Sequence, residues 1–127
     1  MNEEPLSRTI LIVDYSKINL AIYELFVKKL DFSITILYTP DGCEALKIYK
    51  ETDHIDLVIT ANRLGSIYGI DLVQKILEIN KSQDIVFISA EVSIQELAEP
   101  FGIEFVRKPF TFDILAQMFQ SHLQKKM

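Results

Sequence analysis

The chain has a single cysteine, Cys43, so no disulfide can close within it, and this scarcity suits a reducing compartment. No apolar run approaches the ~18 residues that a membrane-spanning helix requires. There is no Gly/Ser-rich linker, no low-complexity tract and no internal repeat. Positive charge is also short. The formal net charge of -5 argues against non-specific nucleic-acid binding and against an anionic membrane surface. Lys125 and Lys126 are too few for a basic arm and read instead as cations at a helix C-terminus. The acidic start, Met1-Asn2-Glu3-Glu4-Pro5, does not resemble a signal peptide. The expectation is a cytoplasmic protein with neither nucleic acid nor membrane as partner.

What is present is enough for a core. Of 127 residues 49% are hydrophobic and 24% charged, so a single domain over residues 1–127 is expected. Thr9 to Asp14 is a continuous apolar run closed by an acid, as in strands buried on both faces. Ser16 can cap a first helix, on which Ile18, Ile22, Leu25, Phe26 and Leu30 recur at helical spacing. Phe32 to Tyr38 reads as a second strand, and Thr39-Pro40-Asp41-Gly42 as a turn opening a helix through Ala45, Leu46 and Tyr49. Ile55 to Thr60 reads as a third strand, Ile70 to Ile79 as a third helix, and Ile85 to Ile88 as a fourth strand. A short helix, Val92 to Ala98, is ended by Pro100. Ile103 to Val106 is a fifth strand, and Phe112, Leu115, Phe119 and Leu123 mark a last amphipathic helix.

Strand and helix alternate five times. That pattern predicts an α/β, flavodoxin-like (βα)5 sandwich of three layers, with a parallel sheet in the order 2-1-3-4-5. Ligands in such folds sit at the carboxyl ends of strands, beside the switch point. Those ends carry Asp14-Tyr15, Thr60-Ala61-Asn62, Ser89 and Lys108. An alanine at the end of the third strand is the puzzle, because Ala61 has no group able to react.

Four segments share this sheet edge: "ILIVD", "DLVIT", "VFISA" and "FVRKPF". In this order and spacing the chain resembles the receiver domain of two-component response regulators, from about Thr9 to His122. The resemblance implies two adjacent acids after the first strand. Asp14 matches the first, and Tyr15 replaces the second. It implies a phosphoryl-accepting aspartate where Ala61 stands, a Ser or Thr matched by Ser89, and a Lys-Pro matched by Lys108-Pro109. An aromatic switch residue is matched approximately by Phe105. Of the turn that follows the third strand in such domains, only the final glycine, Gly69, is kept.

Acyl phosphate chemistry needs a carboxylate nucleophile, and Mg2+ wants carboxylate oxygens. With Tyr15 and Ala61 in these places, the resemblance implies a degenerate receiver: no catalytic residue, no metal site, and Mg2+ binding lost or weak. Asp14 is then expected to pair directly with Lys108, with Tyr15 filling part of the vacant metal space. The chain is expected to be no enzyme. It would act as a phosphorylation-independent protein-interaction module, its partner a histidine kinase or other signalling protein. The implied surface is the face made by helix 4, strand 5 and helix 5, which would equally serve a homodimer.

Blander readings stand beside these. Asp14 can simply cap the following turn, and Ser89 can be a turn residue. Thr60 should face away from the site by the period of two. Asn62 suits hydrogen bonds within its loop. His54 and His122 show no metal-ligand spacing and read as surface residues. Arg63 and Arg107 read as solvated loop residues. Two other functions fit less well: an active receiver phosphorylated at an unorthodox acceptor such as Ser89, and a flavodoxin-like binder of a small ligand, for which no Gly-rich loop follows the first strand.

Overall fold

The computed structural model describes residues 7–29 and 33–123. The expectations placed on Leu30, Phe32, Lys125 and Lys126 lie outside the described residues. The elements run β1 (Ser7–Val13), α1 (Lys17–Val27), β2 (Ser33–Thr39), α2 (Gly42–Glu51), β3 (Leu57–Thr60) and α3 (Gly69–Ile79). They continue with β4 (Ile85–Ser89), α4 (Val92–Ala98), a 3-10 turn at Glu99–Phe101, β5 (Glu104–Arg107) and α5 (Phe112–Leu123). The five strands are parallel and ordered β2-β1-β3-β4-β5, the order expected from the sequence.

Burial follows this order. β3 and β4 are buried at every residue, and β1 from Ile10 to Val13. These are the runs of Leu, Ile, Val and Phe without alternation that sheets covered on both faces require. One core layer joins Ile10, Ile12, Leu57, Ile59, Val86 and Ile88 to α1 and α5. The other joins Leu11, Val13, Val58, Ile85 and Phe87 to α2, α3 and α4. Successive strand residues serve opposite layers, as a period of two dictates.

Helix boundaries follow local chemistry. Ser16 caps α1, its hydroxyl accepting from the Asn19 N–H at 3.3 Å. α4 stops at Ala98, and Pro100 lies in the 3-10 turn after it. Gly102 follows with φ of +68°, a left-handed conformation that suits glycine.

Two helices differ from expectation. On α1 the buried residues are Tyr23 and Val27, while Ile18 is 75% and Leu25 61% exposed. α1 is apolar on several sides, so its hydrophobic period has no unique phase, and the sheet chose another stripe. On α5, Leu115, Met118, Phe119 and Leu123 are buried, but Phe112 is 73% exposed. Phe112 begins the helix and rests its ring 5.4 Å from that of Phe26.

Candidate functional site

β1 and β3 are neighbours, as are β3 and β4, so their carboxyl ends lie side by side. A cleft of about 250 Å3 opens at this edge. Its lining includes Asp14, Tyr15, Ala61, Ser89 and Lys108, which the fold therefore brings together from four strand ends.

Asp14 is buried at the end of β1. Its Oδ1 accepts from the Ser16 N–H at 2.9 Å and its Oδ2 from the Asn19 side-chain amide at 3.1 Å. The carboxylate thus caps the turn that leads into α1. The Tyr38 hydroxyl donates to the Asp14 carbonyl at 2.8 Å, and burial followed by the Asp14 charge raises the Tyr38 pKa.

The expected ion pair between Asp14 and Lys108 is not formed, for no contact within 4.0 Å joins them. Local donors already satisfy Asp14. A direct pair would have to desolvate both ions to displace them. Tyr15 is 75% exposed and lines the cleft beside buried Asp14.

Ala61 stands just past β3, where its N–H donates to the Val13 carbonyl at 3.0 Å. The Thr60 hydroxyl donates back to the Ala61 carbonyl at 2.9 Å. Asn62 is buried and organises the loop. Its backbone carbonyl accepts from Gly69 at 2.7 Å, and its side-chain oxygen accepts from the Ile70 N–H at 3.4 Å. Ser66 pins this loop to the start of α2, its hydroxyl donating to Asp41 and accepting from the Cys43 N–H at 3.0 Å. That hydrogen bond holds the Asp41 carboxyl below the ordinary carboxylate range.

Ser89 is buried at the end of β4, and its Oγ accepts from the Glu91 N–H at 3.0 Å in the turn into α4. Lys108 is half-buried after β5, its N–H donating to the Ser89 carbonyl at 3.0 Å, and the Lys108–Pro109 peptide bond is cis. Phe105 on β5 is half-buried and stacks on Phe87, ring centroids 5.8 Å apart.

Sequence reasoning missed one feature of this cleft. Arg63 and Glu91 form an ion pair at 3.0 Å, and both line it. A signal was available: each lies two residues past a strand-end site residue, Ala61 or Ser89, on adjacent parallel strands. His122 was also misjudged. Only 12% exposed, it sits far from the cleft, with Nε2 2.6 Å from Glu104 and Nδ1 3.4 Å from Asp84. His54 is exposed as expected and pairs with Asp56 at 2.8 Å. Among the described residues no helix is long and apolar enough to cross a membrane.

The family model described as the response regulator receiver domain matches residues 10–120. The autoinducer 1 sensor kinase/phosphatase LuxN of Vibrio campbellii is 29% identical over 91 residues, 72% of this chain and 10% of that protein. The chain thus spans about a tenth of the length of the curated relatives it matches. Among solved structures, the signal receiver domain of an HD domain-containing protein from Pseudomonas fluorescens Pf-5 aligns with a TM-score of 0.80 at 20% identity, covering 99% of this chain and 92% of that one. The response regulatory domain of mrkE from Klebsiella pneumoniae aligns with a TM-score of 0.82 at 19% identity, covering 92% and 96%. At these identities the structural likeness speaks for the fold.

Proposed function

We propose a phosphorylation-independent role for this chain, which belongs to the response regulator receiver domain family. It is a non-enzymatic, cytoplasmic receiver-like module that works through contact with a signalling protein. One observation carries the reading: Ala61 occupies the strand end in the cleft where acyl phosphate chemistry needs a carboxylate.

The neighbouring groups support it. Tyr15 brings no acid to the cleft, and both oxygens of Asp14 are engaged by Ser16 and Asn19. Among the described residues the one other carboxylate lining the cleft, Glu91, is paired with Arg63. These residues do not fit Mg2+, which takes carboxylate oxygens in near-octahedral geometry. The Arg63–Glu91 pair ties the loop after β3 to the start of α4 without any phosphoryl group. It is largely exposed, so it contributes no more than about 1 kcal/mol.

The partner we assign is a histidine kinase or other signalling protein. The α4-β5-α5 face is one surface for it, since Val92, Leu97 and Ile114 remain 49%, 55% and 44% exposed there.

The test is an amide NMR titration with Mg2+, then with beryllofluoride as phosphoryl mimic. Resonances of Asp14, Ala61, Ser89 and Lys108 are expected to stay in place. Saturable shifts at these residues would overturn the reading and direct the search for an acceptor to Ser89.

A further inference from the structure

The cleft at the strand ends holds more hydrogen-bond donors than its own acceptors use. Asn62 and Ser89 both line it, each only 6% exposed. The Asn62 side-chain oxygen accepts from the Ile70 N–H, and the Ser89 Oγ accepts from the Glu91 N–H. Among the described residues, neither the Asn62 amide nitrogen nor the Ser89 hydroxyl proton has an acceptor. Lys108 lines the same cleft, and no carboxylate lies within 4.0 Å of its ammonium among the described residues. The carboxylates of the cleft are already engaged, Asp14 by Ser16 and Asn19, and Glu91 by Arg63. Buried donors without acceptors are costly, so the cleft suits a ligand that brings acceptors.

Charge and shape narrow the ligand. Asp14 and Glu91 balance Arg63 and Lys108. A monoanion adds one negative charge beside Lys108. Phosphate would add up to two beside buried Asp14, where the residues do not fit the Mg2+ that would offset them. A carboxylate has two oxygens, which can accept from an ammonium, a hydroxyl and an amide together. The rest of the lining is apolar or aromatic: Tyr15, Ala61, Ile88 and Ala90. The volume of about 250 Å3 lies below the ~300–1,000 Å3 of pockets for drug-sized ligands, which leaves room for about one ring.

We propose that this cleft binds a small carboxylic acid with an apolar body, without a metal. The carboxylate accepts from Lys108, Ser89 and Asn62, and the apolar body rests against Tyr15 and Ala61. Alanine at position 61 serves both ends of such a ligand: it adds no charge to repel the carboxylate and leaves space for the body. The inference goes beyond the protein-contact reading and uses a different part of the molecule from the α4-β5-α5 face.

The experiment is an amide NMR titration of the full chain with phenylacetate, in the absence of Mg2+ and beryllofluoride. Saturable shifts are expected at Tyr15, Ala61, Ser89 and Lys108. Phenylacetamide keeps the ring and removes the charge. Acetate keeps the charge and removes the ring, as an acidic side chain of a partner protein would. Each of these, and inorganic phosphate, is expected to bind at least tenfold more weakly than phenylacetate. Lys108→Met and Ala61→Asp are each expected to lower phenylacetate affinity at least tenfold, and Tyr15→Ser, at an exposed residue, severalfold. Lys47→Met, on α2, is expected to leave it unchanged. No saturable shifts, equal binding of phenylacetamide, acetate or phosphate, or full affinity in Lys108→Met would each overturn the proposal. The titration uses no phosphoryl mimic, so its failure leaves the phosphorylation-independent reading standing.

Discussion

Gly69 lies so close to the end of β3 that a Cβ built on it would stand 1.9 Å from the Ala61 carbonyl oxygen and 3.0 Å from the Asn62 Cα. Its N–H donates to the Asn62 carbonyl at 2.7 Å, which locks α3 against the strand end. The glycine is needed for space, since among the described residues the positive φ is at Gly102. The obstructing atoms are backbone and cannot rotate away. Gly69→Ala is therefore expected to destabilise the fold by about 1–3 kcal/mol, as overpacking does. A urea unfolding midpoint equal to that of the parent chain would contradict this close approach.

The Tyr23 hydroxyl is buried with no hydrogen-bond partner among the described residues. Removing an unpaired buried polar atom costs nothing in contacts and relieves its desolvation. Tyr23→Phe is thus expected to be neutral or to raise Tm, whereas a drop of several degrees would reveal a hidden partner.

Alkaline pH should expose the same tyrosine. Burial first, and then the Asp14 charge, raise the Tyr23 pKa well above its ordinary value of 10.0, and burial also raises Tyr38 and Tyr49. A group whose folded pKa lies above its unfolded pKa contributes stability that is complete below the unfolded value. That contribution is lost as pH rises past it. Urea titrations at about pH 8 and about pH 11 should show a larger loss for the parent chain than for Tyr23→Phe. Parallel losses in the two proteins would refute the assignment to Tyr23.

Restoring acids to the cleft should restore a metal site in two steps. Ala61→Asp alone supplies one oxygen ligand beside an Asp14 already engaged by Asn19. Adding Tyr15→Asp brings a second new carboxylate. The double variant is expected to bind Mg2+ at least tenfold more tightly than the single variant, measured by NMR shifts at Asp14 and Ser89. Equal affinities would mean that Tyr15 is not what weakens the site.

His122 joins the end of α5 to Asp84, just before β4, and to Glu104, which opens β5. His122→Leu keeps the bulk and removes both ring-nitrogen contacts. A loss of about 1–3 kcal/mol is expected in urea unfolding, in line with hydrogen bonds to charged groups. A change within error would show that solvent replaces the imidazole freely.

Much of the fold was legible because it is written in local runs. Unbroken apolar strands at β1, β3 and β4, helical spacing on α3, Ser16 before α1 and Pro100 after α4 each act within a few residues. The gathering of Asp14, Ala61, Ser89 and Lys108 at one edge followed once the strand order was inferred. The contacts made there did not follow. Asp14 had two sources of neutralisation, a distant lysine and two local donors, and composition does not rank them.

The sequence by itself determined the alternation of strand and helix, the sheet order and the residue types delivered to the cleft, including the alanine at position 61. Those features depend on periodicity and on which side chain ends each strand. Only the tertiary structure decided that Tyr15 stays exposed at the cleft, that Arg63 meets Glu91, that His122 lies between two acids, and that α1 presents Ile18 and Leu25 to the surface. The reason is physical: each is a competition among contacts distant in sequence. A helix apolar on several sides leaves its buried face to be chosen by the surface it meets.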